Sequence, residues 1–346
     1  MVMMAPTKIG PLVSTPLLSW GAKITAALEY MRRRPLRALP ERSIGEFIGS
    51  HYGSEVVEYL AEPLLTGVFG GDVWKLSANE ILPRFIEMEE KYGSITRGMM
   101  AEHKPKGGSL FKTLKGGFGQ LVEALDQNIQ AQRIHGEVEA LELNGNVWRT
   151  RVAGSWIVAD GAVVALRAWQ SASVLKQLDS EMSLLLEEIP HSSAVTIGMT
   201  WNASEISHPL NGFGFLVPQV ERKNIVACTW VNKKFNHRAP DDRVVLRAFL
   251  GGEKWCEASD DEITQAVRDD LADMMQIHVA PRAVSIARWP RSMPQYEVGH
   301  RDLIHQIRQR EAEFPGLKLI GNAFEGIGIP DCIRQAKGTA EFFQEN

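Results

Sequence analysis

The stretch Leu317-Lys-Leu-Ile-Gly-Asn-Ala-Phe-Glu-Gly-Ile-Gly-Ile-Pro-Asp-Cys-Ile333 is typical of a short apolar strand, a glycine-rich turn and the start of a helix. Gly321, Gly326 and Gly328 allow the backbone to approach a ligand without interference from a Cβ atom. Proline is tolerated early in the helix, where backbone N–H groups are free. Such free N–H groups favour an electron-rich acceptor, for example a phosphate or a ring carbonyl. A tight strand-to-helix connection without any ligand is the alternative, and the turn alone leaves both open.

A glycine fingerprint of the form GxGxxG does not occur in the sequence. The most similar segment, 326–331, has aspartate in place of the third glycine and lies near the end of the chain. Enzymes that bind flavin or nicotinamide dinucleotides normally use a strand–GxGxxG–helix unit with an acidic residue about 20 positions further on. We therefore expect the nucleotide-binding β-α-β unit to be missing from this chain.

Motifs for metal binding or nucleophilic catalysis are also absent from the sequence. His300 and His305 are five positions apart on a predicted helix, so they do not share a face. Neither GxSxG nor HExxH occurs. The sequence therefore predicts no metal site, and we assign no catalytic acid, base or nucleophile.

Composition and charge narrow the class of protein. The chain has 346 residues, of which 44% are hydrophobic and 23% charged, and this is large enough for two globular domains. A net charge of -4 supplies no basic field for nucleic acid. The three cysteines form no CxxC pair, which favours a reducing cytoplasm over a disulfide framework or a zinc site. We find no signal-peptide pattern and no uncharged apolar run of about 18 residues.

Helix signals dominate the first hundred residues. Capping boxes predict helix starts at Ser43 and Ser77, and a third predicts one at Ser259, each with glutamate three positions later. A helix between the first two has an apolar face formed by Val56, Val57, Leu60 and Leu64. Residues 17–34 predict a further helix that ends in three arginines before Pro35. This helix fits an interfacial membrane helix with a basic edge or an ordinary surface helix, and the second is favoured by the sequence.

Strand patterns alternate with helices after residue 106. Asn144-Gly145 predicts a hairpin turn within 133–166, and a short buried strand follows Gly161. Several strands are expected over 193–250, then a helix with Ile263, Val267, Leu271 and Met274 on one stripe. A strand over 283–289, a helix over 299–312, a strand over 317–320 and a helix over 331–343 complete the chain. The order lacks a strict βαβ rhythm, so we predict a composite α+β fold.

Four blocks of sequence resemble the oxygen-dependent protoporphyrinogen and coproporphyrinogen oxidases, within the flavin amine-oxidase-like superfamily. They are Ser43-Ile-Gly-Glu-Phe47 with Glu62-Pro-Leu-Leu-Thr-Gly-Val-Phe-Gly-Gly-Asp72 and Leu76-Ser77, Gly116-Gly-Phe-Gly-Gln-Leu-Val122, Arg288-Trp289 with Met293-Pro-Gln-Tyr-Glu-Val-Gly-His300, and Gly321 to Ile333. The last two blocks are specific to the family. The resemblance covers essentially the whole chain and implies FAD as the cofactor.

The resemblance also implies site residues. The backbone of Val138 is expected to meet the adenine, and Trp289 is expected to lie beside the flavin. Asn322, Ile327, Gly328 and Ile329 correspond to the turn that closes over the flavin. For the substrate cavity the matching residues are Gly67, Phe213, Leu216 and Phe249. Without the resemblance, Phe213, Leu216 and Phe249 are better explained as core.

The family's architecture implies an FAD-linked oxidase fold with an incomplete flavin domain here. Residues 1–105 correspond to a helical, membrane-associated domain that also contributes to the substrate cavity. Residues 106–175 and 311–346 correspond to pieces of the flavin domain, and residues 176–310 to a mixed-sheet substrate domain. Where the family usually has proline after the strand at 162–165, this chain has Arg167.

The resemblance implies a six-electron oxidation of a porphyrinogen to a porphyrin in haem biosynthesis, with dioxygen as the oxidant. Its implied partners are the porphyrinogen, dioxygen, a membrane surface, and either a second copy of the chain or an N-terminal unit supplied in trans. Two other interpretations remain: a related amine oxidase or desaturase, and a porphyrin-binding remnant without activity. A split gene or a misplaced gene start would also explain the missing fingerprint. The sequence does not distinguish a substrate with two propionates from one with four.

Overall fold

The computed structural model describes residues 15–33, 39–102 and 112–345. Helices and strands are mixed, as the sequence predicts. Seven short helices come first: α1 (Trp20–Glu29), α2 (Ile44–Tyr52), α3 (Ser54–Val56), α4 (Glu62–Phe69), α5 (Ala78–Ile81), α6 (Pro83–Tyr92) and α7 (Ile95–Ala101). The later helices are α8 (Gly119–Asn128), α9 (Ala168–Leu175), α10 (Ser180–Glu187), α11 (Val231–Lys234), α12 (Glu253–Glu257), α13 (Asp260–Met275), α14 (His300–Glu311) and α15 (Ile329–Glu345).

Strands form three sheets within the described ranges. Their bounds are β1 (Val138–Asn144), β2 (Val147–Val152), β3 (Ser155–Ala159), β4 (Ala162–Val164), β5 (His191–Asn202), β6 (Gly214–Leu216), β7 (Ile225–Trp230), β8 (Arg243–Gly251), β9 (Ala283–Pro294) and β10 (Leu317–Leu319). Strands β1, β2 and β3 form an antiparallel meander, and β10 pairs with β4 in parallel. The largest sheet is antiparallel, in the order β6-β7-β8-β5-β9.

One face of the five-stranded sheet is covered by helix α13. Val195, Ile197 and Leu246 point to this face and pack with Ile263 and Val267 of the helix. This confirms most of the predicted stripe, although Met274 is only partly buried. Because residues alternate between the faces of a strand, the opposite face of the sheet carries a separate set of side chains, which the next subsection describes.

The predicted helix over 17–34 is shorter than expected. It spans Trp20–Glu29, and Ser19 caps it by accepting a hydrogen bond from the Ala22 N–H. Its buried side is formed by Ala22, Ala26 and Glu29 rather than by the large apolar residues. Arg34 and Pro35, expected at its end, lie outside the described residues. Within the described ranges no helix has the length and apolar character needed to cross a bilayer.

Two of the three predicted capping boxes are complete, at Ser43 and Ser259. Ser77 also caps its helix by accepting a hydrogen bond from the Glu80 N–H. The Glu80 carboxylate instead pairs with Arg301 at 2.7 Å. The Glu80 side chain therefore forms a tertiary ion pair in place of the hydrogen bond to the Ser77 backbone that would complete the capping box.

The helix predicted around Val56 contains a π-helical turn, Val57–Ala61, between α3 and α4. One extra residue per turn rotates the following side chains around the helix axis. Val56 and Val57 are buried, whereas Leu64 is exposed, so the prediction that these residues share one face was wrong for Leu64.

Helix α8 follows the glycine-rich break as predicted, but none of its residues is buried. Val122 and Leu125 are 67% and 54% exposed. The parallel sheet of β4 and β10 has only two strands, whereas parallel sheets are normally buried by further strands and helices, and Val163 on β4 is 46% exposed. These two elements leave apolar surface uncovered in the described structure.

Local predictions elsewhere are largely confirmed. The hairpin at Asn144-Gly145 connects β1 to β2, with positive φ at Gly145 but not at Asn144. Arg167 takes the extended conformation before α9, and its guanidinium donates to the Pro290 carbonyl at 3.2 Å. Arg167 therefore connects the segment after β4 to β9.

Candidate functional site

The glycine-rich turn joins β10 to α15. Gly321 and Gly326 have φ of 138° and 106°, values that an L side chain rarely adopts, so glycine is required at both. The Gly328 N–H donates to the Asp331 carboxylate at 3.2 Å, and this bond fixes the start of α15.

The N–H groups of Ile327 and Ile329, on either side of Gly328, have no hydrogen-bond partner among the described residues. Two free donors at a helix start can donate hydrogen bonds to an electron-rich group of a ligand. Ile329 is half-exposed, so this part of the turn is accessible. Of the turn residues singled out from the sequence, Ile327 and Ile329 keep a free N–H, whereas Gly328 donates to Asp331 and the Asn322 carbonyl accepts from Tyr296.

Tyr296 holds the opposite side of this turn. Its hydroxyl donates to the Asn322 carbonyl at 2.7 Å and accepts from the Gly326 N–H at 2.9 Å. The ring stacks on His300 with centroids 4.0 Å apart. Tyr296 lies in one of the family blocks, but its sequence position alone suggested no role. Only the tertiary structure shows that it contacts Asn322 and Gly326, which are 26 and 30 positions away.

His300 forms the other half of the stack. Burial lowers the pKa of His300 to about 4, against the opposing effect of a hydrogen bond with the Ala323 backbone. The imidazole is therefore neutral near pH 7 and acts as a packing group behind the turn.

The second face of the five-stranded sheet brings together residues from all five strands. Directly paired residues share a face, and the pairs Leu216–Ala227, Ala227–Phe249, Phe249–Thr196 and Thr196–Ala287 run across the sheet. Trp289 lies on the same face and donates from its indole to the Thr196 hydroxyl at 3.4 Å. We call this surface, defined by Leu216, Phe249, Thr196 and Trp289, the site face.

Helix α4 lies against the edge of the site face. A Cβ atom placed on Gly67 would approach a methyl group of Leu216 to 3.2 Å, so glycine permits close packing there. Phe213 immediately precedes β6 and is half-exposed, as are Leu216 and Trp289. The alternative that Phe213, Leu216 and Phe249 are core residues therefore does not hold, since none of them is buried.

Strand β9, which carries Trp289 of the site face, is held to the segment after β4, and the residues that follow β9 contact the glycine-rich turn. Directly after Trp289, the Pro290 and Arg291 carbonyls accept hydrogen bonds from Arg167 and Trp169, which follow β4. Tyr296, beyond the end of β9, bonds the turn itself. Val138 lies elsewhere, as the first residue of β1, and packs partly buried against the cluster that includes Leu317 and Leu319 of β10.

Comparison with known proteins shows which family the chain belongs to. Residues 2–341 match the flavin containing amine oxidoreductase family. The chain belongs to this family. It is 34% identical to the coproporphyrinogen III oxidase of Bacillus subtilis (strain 168), over 97% of this chain and 74% of that protein. Protoporphyrinogen oxidase 1, chloroplastic, of Arabidopsis thaliana is 26% identical, over 97% of this chain and 69% of that protein.

Solved structures of similar fold support the family membership. A crystal structure from Exiguobacterium sp. 255-15, provisionally named protoporphyrinogen oxidase, gives a TM-score of 0.87 at 30% identity, covering 99% of this chain and 76% of that one. Putrescine oxidase gives 0.67 at 12% identity, over 96% and 77% of the chains, and shows the fold alone. As a member of the family, the chain is an oxidoreductase of the FAD-linked oxidase fold.

FAD, expected from the sequence, is confirmed as the cofactor of this flavin-containing family. The turn fits the ring end of such a cofactor, because it offers two free N–H donors beside Gly328 and an accessible surface. The pyrophosphate end has no matching GxGxxG in the 346 residues. The residues present therefore fit one end of FAD.

Proposed function

We propose that this protein is a porphyrinogen oxidase of haem biosynthesis, which converts a porphyrinogen to a porphyrin with dioxygen. The observation that carries the proposal is the site face, an accessible sheet surface bearing Leu216, Phe249 and Trp289 and connected to the turn with free N–H donors. The similarity to the coproporphyrinogen III oxidase of Bacillus subtilis supports the choice of substrate.

The chain's own residues bind and orient in this reaction. The apolar side chains of Leu216 and Phe249 would pack against the macrocycle, with Gly67 leaving room beside them. Ile327 and Ile329 would donate backbone hydrogen bonds to the flavin ring, with Trp289 and Asn322 beside it and Val138 at the adenine. When bound, FAD supplies the redox chemistry that removes electrons from the substrate and passes them to dioxygen. No side chain is assigned as an acid or base.

The domain division proposed from the sequence agrees with three buried clusters in part, since the third cluster also takes in Met182, Leu186, Ile189 and Ile307 from residues 176–310. Residues 1–105 contain the described cluster around Ile44 and Phe47, and residues 176–310 contain the sheet core. Residues 106–175 and 311–346 share the cluster around Trp148 and Leu317. In this proposal the last two segments form the part of a flavin domain that carries α8, β4 and β10.

A β-α-β unit is the partner that we propose for the exposed apolar residues Val122 and Leu125 of α8 and Val163 of β4. Parallel strands are normally supplied in β-α-β units, and a two-stranded parallel sheet accommodates one. The same unit would supply the missing pyrophosphate ligands. A second copy of the chain on this surface is the competing arrangement, and the experiment below separates them.

We expect the purified chain alone to bind FAD weakly, and a fusion to a family member's nucleotide-binding unit to bind it stoichiometrically. The reason is that the ring end of the site is present while the pyrophosphate ligands are not. The fusion should also oxidise coproporphyrinogen III in air, measured as porphyrin fluorescence with hydrogen peroxide release. A yellow chain with one FAD per protomer would contradict the expectation.

The variant Leu125→Glu tests whether the β-α-β unit docks against helix α8. Because Leu125 is 54% exposed, the charge should leave the melting temperature of the chain alone unchanged. In the fusion it should lower flavin content, since the glutamate would be buried against the unit.

Sedimentation of the chain alone tests whether it forms a homodimer. A flavin-loaded fusion that binds coproporphyrin III without oxidising coproporphyrinogen III would favour the inactive porphyrin-binding protein.

Peripheral membrane contact at the cytoplasmic side is the localisation that we propose, through helix α1. An exposed apolar stripe runs along this helix at Trp20, Ile24 and Leu28, at helical spacing. Lys23 lies 4.8 Å from the Trp20 ring, and Arg32 and Arg33 follow the helix. Apolar residues beside cations are typical of helices that lie in the interface of anionic membranes.

The membrane contact predicts flotation with anionic vesicles. Wild-type chain should float with phosphatidylglycerol vesicles at low salt and less at high salt, because salt screens the attraction between exposed charges. Leu28→Ser should reduce flotation, whereas Leu184→Ser on α10, equally exposed at 62% against 58%, should not. Equal losses in both variants, or no flotation of the wild type, would leave α1 as an ordinary surface helix.

A further inference from the structure

Arg247 projects from the middle of the site face. It is directly paired with Thr229 on one side and Gly198 on the other, one row along β8 from Phe249. Its guanidinium carbon lies 5.3 Å from the centre of the Phe249 ring, so the cation is held over the aromatic face. The side chain is exposed. A positive charge therefore stands beside the apolar residues of the proposed cavity.

No acidic residue pairs with Arg247 among the residues that the structure describes. Arg243 on β8 and Arg288 on β9 differ, since Arg243 pairs with Asp242 at 3.8 Å and Arg288 with Asp260 at 2.7 Å. Arg291 on β9 has no acidic partner in the described part either, but its guanidinium lies over the Trp169 ring, which follows β4, rather than over a residue of the site face. Arg247 makes no hydrogen bond to a protein oxygen in the described part either. Its five N–H donors are therefore available to a ligand.

The neighbours of Arg247 leave space above the sheet. In the same row across the sheet stand Gly214, Thr229, Gly198 and Ser285, all of them small. The adjacent row carries the larger apolar groups Leu216 and Phe249. This arrangement suits a flat apolar ligand with an acidic group at its rim.

We propose that Arg247 binds a propionate carboxylate of the porphyrinogen and so fixes the orientation of the macrocycle on the site face. A planar guanidinium matches a carboxylate with two parallel hydrogen bonds, and such charge-assisted pairs are stronger than neutral ones. Porphyrinogens carry propionates on the rim of an apolar ring, which matches the order of Arg247, Phe249 and Leu216 along the face. The inference rests on the proposed function and names the group that positions its substrate.

The test compares a porphyrin with and without free carboxylates on the chain as it is. Coproporphyrin III has four propionates, and its tetramethyl ester has the same macrocycle without charge. Binding is measured by quenching of tryptophan fluorescence. Arg247→Met, which keeps an apolar stem of similar length, should weaken coproporphyrin III binding roughly ten- to hundredfold and change ester binding by less than about threefold. Arg247→Lys should recover part of the affinity for the acid, because the charge remains while the planar fork is lost.

Arg149→Met is the matched control. Arg149 lies on β2 with its guanidinium 4.5 Å from the Trp156 ring, so the substitution removes the same arginine–aromatic contact from a different sheet. It should leave both affinities unchanged. If Arg247→Met lowers the affinities for the acid and the ester equally, or lowers neither, Arg247 does not bind a propionate. The proposed cavity would not be affected by that result. Failure of the wild type to bind either porphyrin would overturn the cavity and, with it, the role of Arg247.

Discussion

Replacing His51 by alanine is expected to lower the free energy of unfolding by about 3–5 kcal/mol, the usual cost of breaking a buried charge pair. Its Nδ1 lies 2.8 Å from a Glu29 oxygen and its Nε2 lies 2.9 Å from a Glu89 oxygen. All three side chains are almost completely buried. Each ring nitrogen therefore faces a buried carboxylate oxygen, so His51 links Glu29 to Glu89.

The rest of the network shows why the loss is large. Glu29, at the end of α1, also accepts hydrogen bonds from Ser94 and from the backbone at the start of α7. Glu89, on α6, also pairs with Arg42 at 2.5 Å and with Arg32 at 3.7 Å. Without His51 the helices α1, α2 and α6 lose their common contact. Glu29 would then remain buried with only neutral donors.

Acid sensitivity gives a second measure of the same network. Burial raises the pKa of Glu29, but the hydrogen bond from His51 and those from the start of α7 outweigh it and hold the pKa at about 2, below the ordinary 4.5. A depressed carboxyl pKa stabilises the fold above pH 4.5, and this stability is lost as the pH falls towards 2. His51→Ala should therefore lose less stability than the wild type across this interval.

Urea unfolding at pH 7 and at several acidic pH values measures both effects. His135→Ala removes an exposed histidine and should change the free energy of unfolding by less than about 0.5 kcal/mol. Adding Glu29→Gln to His51→Ala should recover part of the loss, because the unpaired buried charge is removed. A loss below about 1 kcal/mol for His51→Ala would show that the network contributes little.

Sequence patterns predicted the parts of this fold that depend on neighbours along the chain. The caps at Ser43 and Ser259 and the hairpin at Gly145 follow from local backbone chemistry, and the structure contains all of them. The His51 network could not be predicted in this way, because its members are 22 and 38 positions apart. Periodicity also failed at Leu64, since nothing in the sequence announces the preceding π-helical turn.

The candidate site also contains features that the local sequence predicts and features that depend on tertiary structure. The glycine-rich turn was recognisable from its own residues, while the grouping of Leu216, Phe249 and Trp289 on one face depends on the register of separate strands. Pattern alone assigned Phe213, Leu216 and Phe249 to the core, since a large apolar residue in a strand is usually buried. Tyr296 and Arg247 acquire their roles only from contacts made across the sheet and the turn.

Replacing Gly328 by valine is expected to weaken flavin binding roughly ten- to hundredfold in the fusion, which corresponds to the ~1–3 kcal/mol that overpacking usually costs. A Cβ atom at this position would lie 2.9 Å from the Asp331 oxygen that accepts the Gly328 N–H. The added side chain would therefore displace the carboxylate that fixes the turn. It would also stand between Ile327 and Ile329, whose free N–H groups we propose as donors to the flavin.

Gly338→Val is the matched control, because a Cβ atom there meets nothing within 4 Å and the position lies on the same helix α15. The flavin content of both purified fusions and their dissociation constants for FAD, from quenching of flavin fluorescence, would be compared with those of the parent fusion. The control should bind FAD as the parent does. If Gly328→Val lowers the melting temperature strongly while Gly338→Val does not, the glycine is a structural requirement of the turn. Equal FAD affinity in the two folded variants would remove the turn from the cofactor site, because no ring could then lie against Gly328 without sensing the added side chain.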